Sequence, residues 1–262
     1  VPQTVFGPGG VVFIAGNAPI EIDLPDARSI GPLPADVVVP TDDWPYLYLR
    51  EPGIPTPFIL LAVLVLIMFL IGRSWLELPS PIGAIHGRGR FLFLGIGFML
   101  LETTSIARGA VIFGNTWDVS AGIVAGVLVF ILLANAAAAI WKGMPDALVW
   151  IGLVLSCGLL YAVDLSALHA WGTVERHAAA GAVLCLPVFF ASLAFIRSLA
   201  KAEARDAALG VNLLGSLVGG LLQALSFAVG FRTVVVVVLA VYITARGGSP
   251  SKSRKKPGRD RS

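Results

Sequence analysis

The sequence predicts an all-α polytopic membrane protein of about seven transmembrane helices, preceded by a short β-containing extramembrane segment. Of its 262 residues, 56% are hydrophobic and 13% are charged, whereas about 25% of the residues in a soluble domain are charged. Apolar stretches close to the length of a membrane crossing recur from residue 57 onward. The first 56 residues differ, because they carry seven Asp or Glu against two Arg and many prolines.

The segment 1–56 is expected to contain two or three short strands. Its β-branched runs at residues 11–14 and 37–39 are bounded by Gly and Pro, a pattern typical of strands joined by loops. So short a segment would have difficulty burying a core of its own, and we expect it to be the end of an incomplete domain. The chain starts at Val1 with no methionine and no secretion signal, which predicts a processed product or a piece of a longer protein.

The membrane domain, residues 57–245, is predicted to contain seven apolar spans of up to about 20 residues, the length that crosses the hydrocarbon core. The spans are residues 57–72, 91–113, 119–141, 147–168, 178–200, 207–230 and 231–245. The first and last spans are short and the sixth is rich in glycine, so the number of crossings stays approximate.

Lys and Arg are distributed unevenly over the alternating sides of these spans. Fourteen fall on one side and five on the other, and the positive-inside rule places the richer side in the cytoplasm. The tail, residues 246–262, contributes seven of the fourteen and is expected to be disordered. Since the rest of the chain is slightly acidic, we interpret the tail as a topology anchor at anionic headgroups, and no nucleic acid is predicted as a partner.

A candidate site lies in the second half of the span that ends near Asn115. Glu102 and Arg108 flank the hydroxyls of three residues at membrane depth, where an ionised group costs several kcal/mol unless it faces protein or water. The hydroxyl residues are Thr103, Thr104 and Ser105. Two interpretations stay open: a binding site, or structural groups that pair or reach the interface.

Other polar and small residues in the spans are predicted to pack helices together. Asn135, Asn212 and Gln223 are expected to form interhelical hydrogen bonds. Small residues spaced four apart, at Gly215 and Gly219 and likewise at positions 122 and 126, allow two helix backbones to approach closely.

No metal site and no disulfide are predicted. Cys157 and Cys185 each lie within an apolar span, where a thiol acts as a small hydrophobic group. The loop from Asp164 to His177 also contains His169 and Glu175 and could bind a metal or relay protons. Without a fixed helical spacing, such a group is more typical of a solvated loop.

Three stretches resemble the bacterial membrane-fused homologues of spermidine synthase. They are TDDWPYLYL at residues 41–49, FMLLETTSI at 98–106 followed by FGNTW at 113–117, and NLLG at 212–215 followed by Gly219 and Gly220. The resemblance implies a methyltransferase-like domain that runs directly into a multi-pass region of the bacterial inner membrane. Asp42 and Asp43 then become candidates for the edge of a polyamine-binding cleft, or one of them caps a turn before Trp44. Trp44, Tyr46 and Tyr48 suit an interfacial aromatic belt.

The catalytic part of that family is not expected within this chain. Its cofactor, decarboxylated S-adenosylmethionine, binds a glycine-rich loop that follows a strand and opens a helix. The glycines at positions 7, 9 and 10 precede a predicted strand instead. The resemblance therefore implies the cofactor only for an upstream domain, and no catalytic residue is predicted here. Such a domain should face the cytoplasm, whereas seven crossings with a cytoplasmic tail put residues 1–56 on the far side.

Three functions remain open. The first is the membrane part of a spermidine synthase-like fusion, which anchors an aminopropyltransferase-like domain and offers Glu102 to the ammonium groups of a polyamine in a weakly screened cavity. The second is a small-molecule transporter, although no internal repeat supports it. The third is a structural subunit without chemistry of its own. The expected partners are the lipid bilayer, an upstream soluble domain and other membrane subunits.

Overall fold

The described part of the chain is a bundle of seven α-helices in one compact unit that begins at Pro40. The computed structural model describes residues 40–49, 51–75, 85, 87–114, 116–164, 167 and 172–247. The helices are α1 (Thr56–Trp75), α2 (Gly89–Phe113), α3 (Trp117–Ile140), α4 (Asp146–Ala162), α5 (Thr173–Ala200), α6 (Arg205–Leu222) and α7 (Ser226–Gly247), with a 3-10 turn, Gln223–Leu225, between the last two.

The predicted β-containing segment is not supported, because the described residues contain no strand. Residues 40–49 and 51–55 form turns and bends, in which Thr41 and Trp44 exchange backbone hydrogen bonds of 3.1 and 3.0 Å. Four prolines within this segment each lack a backbone donor, which disfavours a regular ladder. The strands predicted at residues 11–14 and 37–39 lie outside the described residues.

The prediction of about seven spans is also corrected. Within the described ranges, four helical stretches have the length and apolar composition needed to cross a membrane: Gly89–Phe113, Val119–Ile140, Glu175–Ala200 and Arg205–Gly247. The apolar helices Thr56–Gly72 and Asp146–Ala162 are shorter. The predicted spans 207–230 and 231–245 fall in one helical stretch, because the chain passes from α6 to α7 through a 3-10 turn without an intervening loop.

The centre of the bundle is α2, which packs against α3, α5, α6 and α7. Leu100 and Leu101 on this helix are completely buried. Further contacts join α3 to α5, α4 to both α5 and α7, and α5 to α6. Most side chains of α1 are exposed, and its described ring contact joins Phe58 to Phe227, whose centroids lie 4.5 Å apart.

Glycines bring α6 and α2 into backbone contact. A Cβ added at Gly215 would overlap the Leu92 carbonyl, and one added at Gly219 would lie 2.6 Å from the Ile96 oxygen. The Asn212 carbonyl presses in the same way on Gly95. Small residues therefore let these two helices approach more closely than side chains would permit.

Contacts along α2 define two ends of the bundle. Helix α6 runs in the same direction as α2, since Gly215 faces Leu92 and Gln223 bonds to Thr103. Helix α7 runs oppositely.

We call the end that carries Asp42, Asp43, Arg108, Asp164 and Arg232 the acidic end, and the end that carries Arg90, Asp146, Arg197 and Lys201 the basic end.

Candidate functional site

The junction of α6 and α7 is a break in the helical backbone. After the 3-10 turn, four residues of α7 precede Gly230, whose φ of 77° and ψ of 171° are not helical. Gly230 and its neighbour Phe231 are both buried. Irregular backbone at membrane depth is tolerated only where protein or water satisfies its polar groups, so this break requires partners.

Residues 41–53 provide those partners. The backbone carbonyl of Asp43 accepts a hydrogen bond of 2.9 Å from the N–H of Phe231, and its carboxylate Oδ1 accepts one of 2.7 Å from the N–H of Arg232. Trp44 Nε1 donates to the Phe227 carbonyl at 2.7 Å, and the N–H of Gly53 donates to the same oxygen at 3.2 Å. The segment therefore caps the helix that restarts after Gly230.

Aromatic packing reinforces these hydrogen bonds. The ring centroid of Tyr46 lies 4.4 Å from that of Phe227 and 5.9 Å from that of Phe231. The Tyr46 hydroxyl lies 2.6 Å from Ser226 Oγ. Burial raises the pKa of the Tyr46 phenol, although the bond to Ser226 opposes this shift. Trp44 is 8% exposed. These two rings therefore pack on α7, and the exposed Tyr48 is the aromatic residue of this segment that faces outward.

Beside the break is a polar cavity of about 30 Å³, large enough for a water molecule. Three carboxylates and two guanidiniums line it with two apolar side chains: Asp42, Asp43, Asp164, Arg108, Arg232, Val111 and Ile112. The structure thus brings together three of the four predicted substrate-binding residues, Asp42, Asp43 and Arg108. The fourth, Glu102, does not line the cavity.

Arg108 fixes the end of a neighbouring helix. It is 8% exposed, and its guanidinium donates to the carbonyl oxygens of Leu160 at 2.5 Å and Val163 at 3.4 Å. These carbonyls belong to the last turn of α4 and the residue after it, where helical acceptors lack partners of their own. Arg108 therefore joins α2 and α4 as well as lining the cavity.

The hydroxyls next to Glu102 are used between helices. Thr103 and Thr104 both donate to Gln223 Oε1, at 3.0 and 3.3 Å, and Ser105 donates to the Leu184 carbonyl at 2.9 Å. Glu102 itself is half-buried, and within the described part of the chain it forms no hydrogen bond or ion pair. The polar side chains of α2 thus divide into packing groups and one isolated carboxyl group.

The residues predicted to pack helices do so unequally. Gly215 and Gly219 lie against α2, as described above, and Gln223 bonds to that helix. Asn135 differs, because its side chain is exposed and Nδ2 donates to the Ile131 carbonyl of its own helix at 3.1 Å. An intrahelical acceptor one turn away satisfies this amide without a second helix.

A larger apolar pocket, of about 550 Å³, lies between α3 and α5. Gly122 lines it and has open space at its Cα, whereas a Cβ at Gly126 would lie 3.4 Å from Cys185 Sγ. At one edge of the pocket, His177 stacks on Phe113 with their centroids 4.5 Å apart. His169 lies outside the described residues, and among those described no His, Cys, Asp and Glu side chains are grouped as a metal site.

Sequence reasoning overlooked Gly230 and Arg232, which complete the break and the cavity. Gly230 could have been identified from its position, because it is a glycine at the predicted boundary between two apolar spans. Nothing in the local sequence paired Arg232 with Asp43, 189 positions earlier. The chain matches no family model, no curated protein and no solved structure.

Proposed function

We propose that this chain is the membrane-embedded part of a spermidine synthase-like fusion, and that it anchors an aminopropyltransferase-like domain to the bilayer. The observation that carries the proposal is the docking of residues 41–53, which include the TDD-W-P motif, onto the break in α7. A covalent tether needs no such contacts. Five hydrogen bonds and an aromatic cluster hold this segment at a fixed place on the bundle.

Under this proposal, decarboxylated S-adenosylmethionine binds the upstream domain and not these helices. The acidic cavity contributes through Asp42, which is exposed and can offer a carboxylate to a polyamine ammonium group. Asp43 is a structural cap, since its carboxylate holds the backbone of Arg232. The half-buried Glu102 is a second, separate position for a cation.

The proposal includes an orientation. The chain lies in the bacterial inner membrane with the basic end and the tail in the cytoplasm, as the distribution of Lys and Arg favours. The acidic end, which carries residues 41–53, then faces the opposite side of the membrane. A catalytic domain upstream of that segment requires the acidic end in the cytoplasm, so the reverse orientation would support the enzyme anchor and this orientation would count against it.

Polyamine analysis in cells tests the proposal. Deleting the encoding gene should change the cellular spermidine level, and the wild-type gene should restore it. Trp44→Ala, which removes the docked indole, should restore it poorly. Trp141→Ala provides the matched control, because Trp141 is 57% exposed and should complement fully. Unchanged polyamine levels after deletion would refute the family assignment, and full complementation by Trp44→Ala would refute the role of docking.

The break between α6 and α7 also favours a second function, the transport of a small molecule. Many transporters bind their substrates through polar side chains that meet between helices where the helical backbone is irregular, and here Gln223, in the turn that joins α6 and α7, accepts hydrogen bonds from Thr103 and Thr104. Uptake of labelled spermidine into proteoliposomes that contain only this chain, and its loss in Gln223→Leu, would support transport. The absence of uptake would leave the anchor as the function.

A further inference from the structure

Three helix ends converge at the basic end around an excess of positive charge. Arg90, the second residue of α2, lies over the Trp150 ring of α4, with its guanidinium carbon 5.8 Å from the ring centroid. One residue further on, the ring of Phe91 packs edge-on against Phe195 of α5, with the ring centroids 6.4 Å apart. Arg197, two residues after Phe195, forms an ion pair of 2.8 Å with Asp146.

One carboxylate serves two of the three cations in this cluster. Asp146 binds both Arg197 and Lys201, while Arg197 also donates to the Met144 carbonyl at 2.5 Å. Arg90 forms no ion pair with a described residue, and its Nε atom is buried without a hydrogen-bond partner. The cluster therefore retains positive charge and an unsatisfied donor.

The cluster also lies where a lipid can reach it. Arg90 is the second residue of a stretch long enough to cross the membrane, so it lies at the depth of the headgroups. Near the same end of the bundle, the α4 side chains of Leu148, Ile151 and Leu155 are 51 to 67% exposed and form the outward face of the helix, away from the buried Trp150. A molecule that binds here would place a polar head at Arg90 and apolar chains along α4.

We propose that the basic end binds the phosphate of an anionic phospholipid, held between Arg90 and the Arg197–Lys201 pair. A guanidinium and an ammonium both form charge-assisted hydrogen bonds with phosphate oxygens. Basic pockets between membrane helices on the cytoplasmic side are suited to anionic headgroups. A soluble phosphate would meet the same charges, but it would leave the apolar surface of α4 uncovered.

Lipid titration of the purified full chain in a neutral detergent tests this site. Phosphatidylglycerol should raise the melting temperature in a saturable way, since a ligand that binds only the folded state stabilises it. Phosphatidylcholine, which has no net charge, should raise it far less. Arg90→Gln should weaken the phosphatidylglycerol effect about fivefold in apparent affinity, in line with the loss of one interfacial cation.

Two further variants and one soluble probe complete the test. Lys142→Gln removes one positive charge from an exposed position in the turn between α3 and α4, outside the group of Arg90, Arg197 and Lys201, and should keep the wild-type response. Lys201→Gln alters a side chain that is 61% exposed, so the variant should fold normally. Its melting temperature should respond less to phosphatidylglycerol than that of the wild type. Equal responses to the two lipids, or wild-type responses in both Arg90→Gln and Lys201→Gln, would overturn the site. An equal response to inorganic phosphate would overturn the lipid as its ligand.

Discussion

Gly230 is the residue at which α7 leaves the helical backbone and restarts. Its φ of 77° is one that side-chain-bearing residues rarely adopt, and an added Cβ would lie 2.6 Å from the Asp43 carboxylate. Gly230→Ala should therefore lower the free energy of unfolding by about 1–3 kcal/mol. Thermal unfolding in detergent measures the loss. Gly210→Ala, at an exposed position in α6 with open space, should be neutral or slightly stabilising, and equal losses in the two variants would contradict this account of Gly230.

Two tyrosines differ in whether their hydroxyl has a partner. Tyr46 lies 2.6 Å from Ser226 Oγ, whereas the hydroxyl of Tyr242 is buried and has no partner among the described residues. Tyr46→Phe should lower the free energy of unfolding by about 0.5–1.5 kcal/mol, because a hydrogen bond is lost. Tyr242→Phe should leave it unchanged or raise it, because the phenylalanine removes an unsatisfied polar atom. A larger loss in Tyr242→Phe than in Tyr46→Phe would show that Tyr242 has a partner.

At the scale of residues, sequence reasoning identified chemical types better than partners. Arg108 could be selected because a charge near a membrane core is costly, and Asp42 and Asp43 because their motif resembles that of the spermidine synthase-like family; all three line one cavity. Trp44 and Tyr46 suited an interfacial belt, but they pack on α7. Contacts between residues more than 180 positions apart depend on how helices pack, which local composition does not encode.

Helices α2 and α6 form the closest contact between elements, and glycine makes it possible. A Cβ at Gly215 meets the backbone carbonyl of Leu92, whereas one at Gly220 meets nothing closer than Met99 Cγ at 3.8 Å. Gly215→Ala should therefore destabilise the protein by about 1–3 kcal/mol through overpacking. Gly220→Ala supplies the control and should change the free energy of unfolding little. Thermal unfolding of both in one detergent makes the comparison, and the prediction fails if Gly215→Ala is as stable as the control.

Helices α4 and α5 are joined at the basic end by Asp146. Hydrogen bonds from Lys201 and Arg197 lower the pKa of this carboxyl group, against a smaller opposing effect of burial. A lowered pKa means that the ion pairs stabilise the fold above the ordinary Asp pKa, near 4. That contribution is lost as the pH falls through the lower value of the folded state. Because Asp146 is 45% exposed, its contribution should be only about 0.5–1 kcal/mol.

Unfolding of Asp146→Asn measured between pH 7 and pH 3 tests this contribution. The variant should be less stable than wild type at pH 7, and the difference should shrink as the pH falls below 4. Glu203→Gln is the control, because Glu203 is an exposed residue between α5 and α6. This variant should show the wild-type dependence of stability on pH below pH 4. A constant difference between Asp146→Asn and wild type over this range would show that the ion pairs do not cause the loss.

At the scale of elements, the positions of the helices were easier to predict than their number of crossings. Each predicted span overlaps a helix. A helix satisfies the backbone N–H and C=O groups of a long apolar run within the run itself, so the run can be buried away from water. Composition did not reveal that α4 ends at Ala162, six residues before its predicted end. Nor did it place the boundary between the last two helices, which was predicted after residue 230 and lies at the 3-10 turn Gln223–Leu225.

The whole molecule has opposite charge at its two ends. Arg90 and Arg108 lie 18 residues apart on α2, which corresponds to about 27 Å along the helix axis and is close to the thickness of the hydrocarbon core. Arg108 belongs to the acidic end with the segment that contains Leu47, and Arg90 belongs to the basic end with the turn that contains Lys142. The two ends should therefore face opposite sides of the membrane.

Labelling of single cysteines with a membrane-impermeant maleimide tests this arrangement. Leu47→Cys and Lys142→Cys both place a thiol at an exposed position, whereas the native Cys157 and Cys185 are buried and should react little. With the basic end in the cytoplasm, Leu47→Cys should react in intact spheroplasts and Lys142→Cys only in inverted vesicles. The reverse pattern would keep the two-ended architecture but exchange its sides. Labelling of both positions from one side would show that α2 does not cross the bilayer.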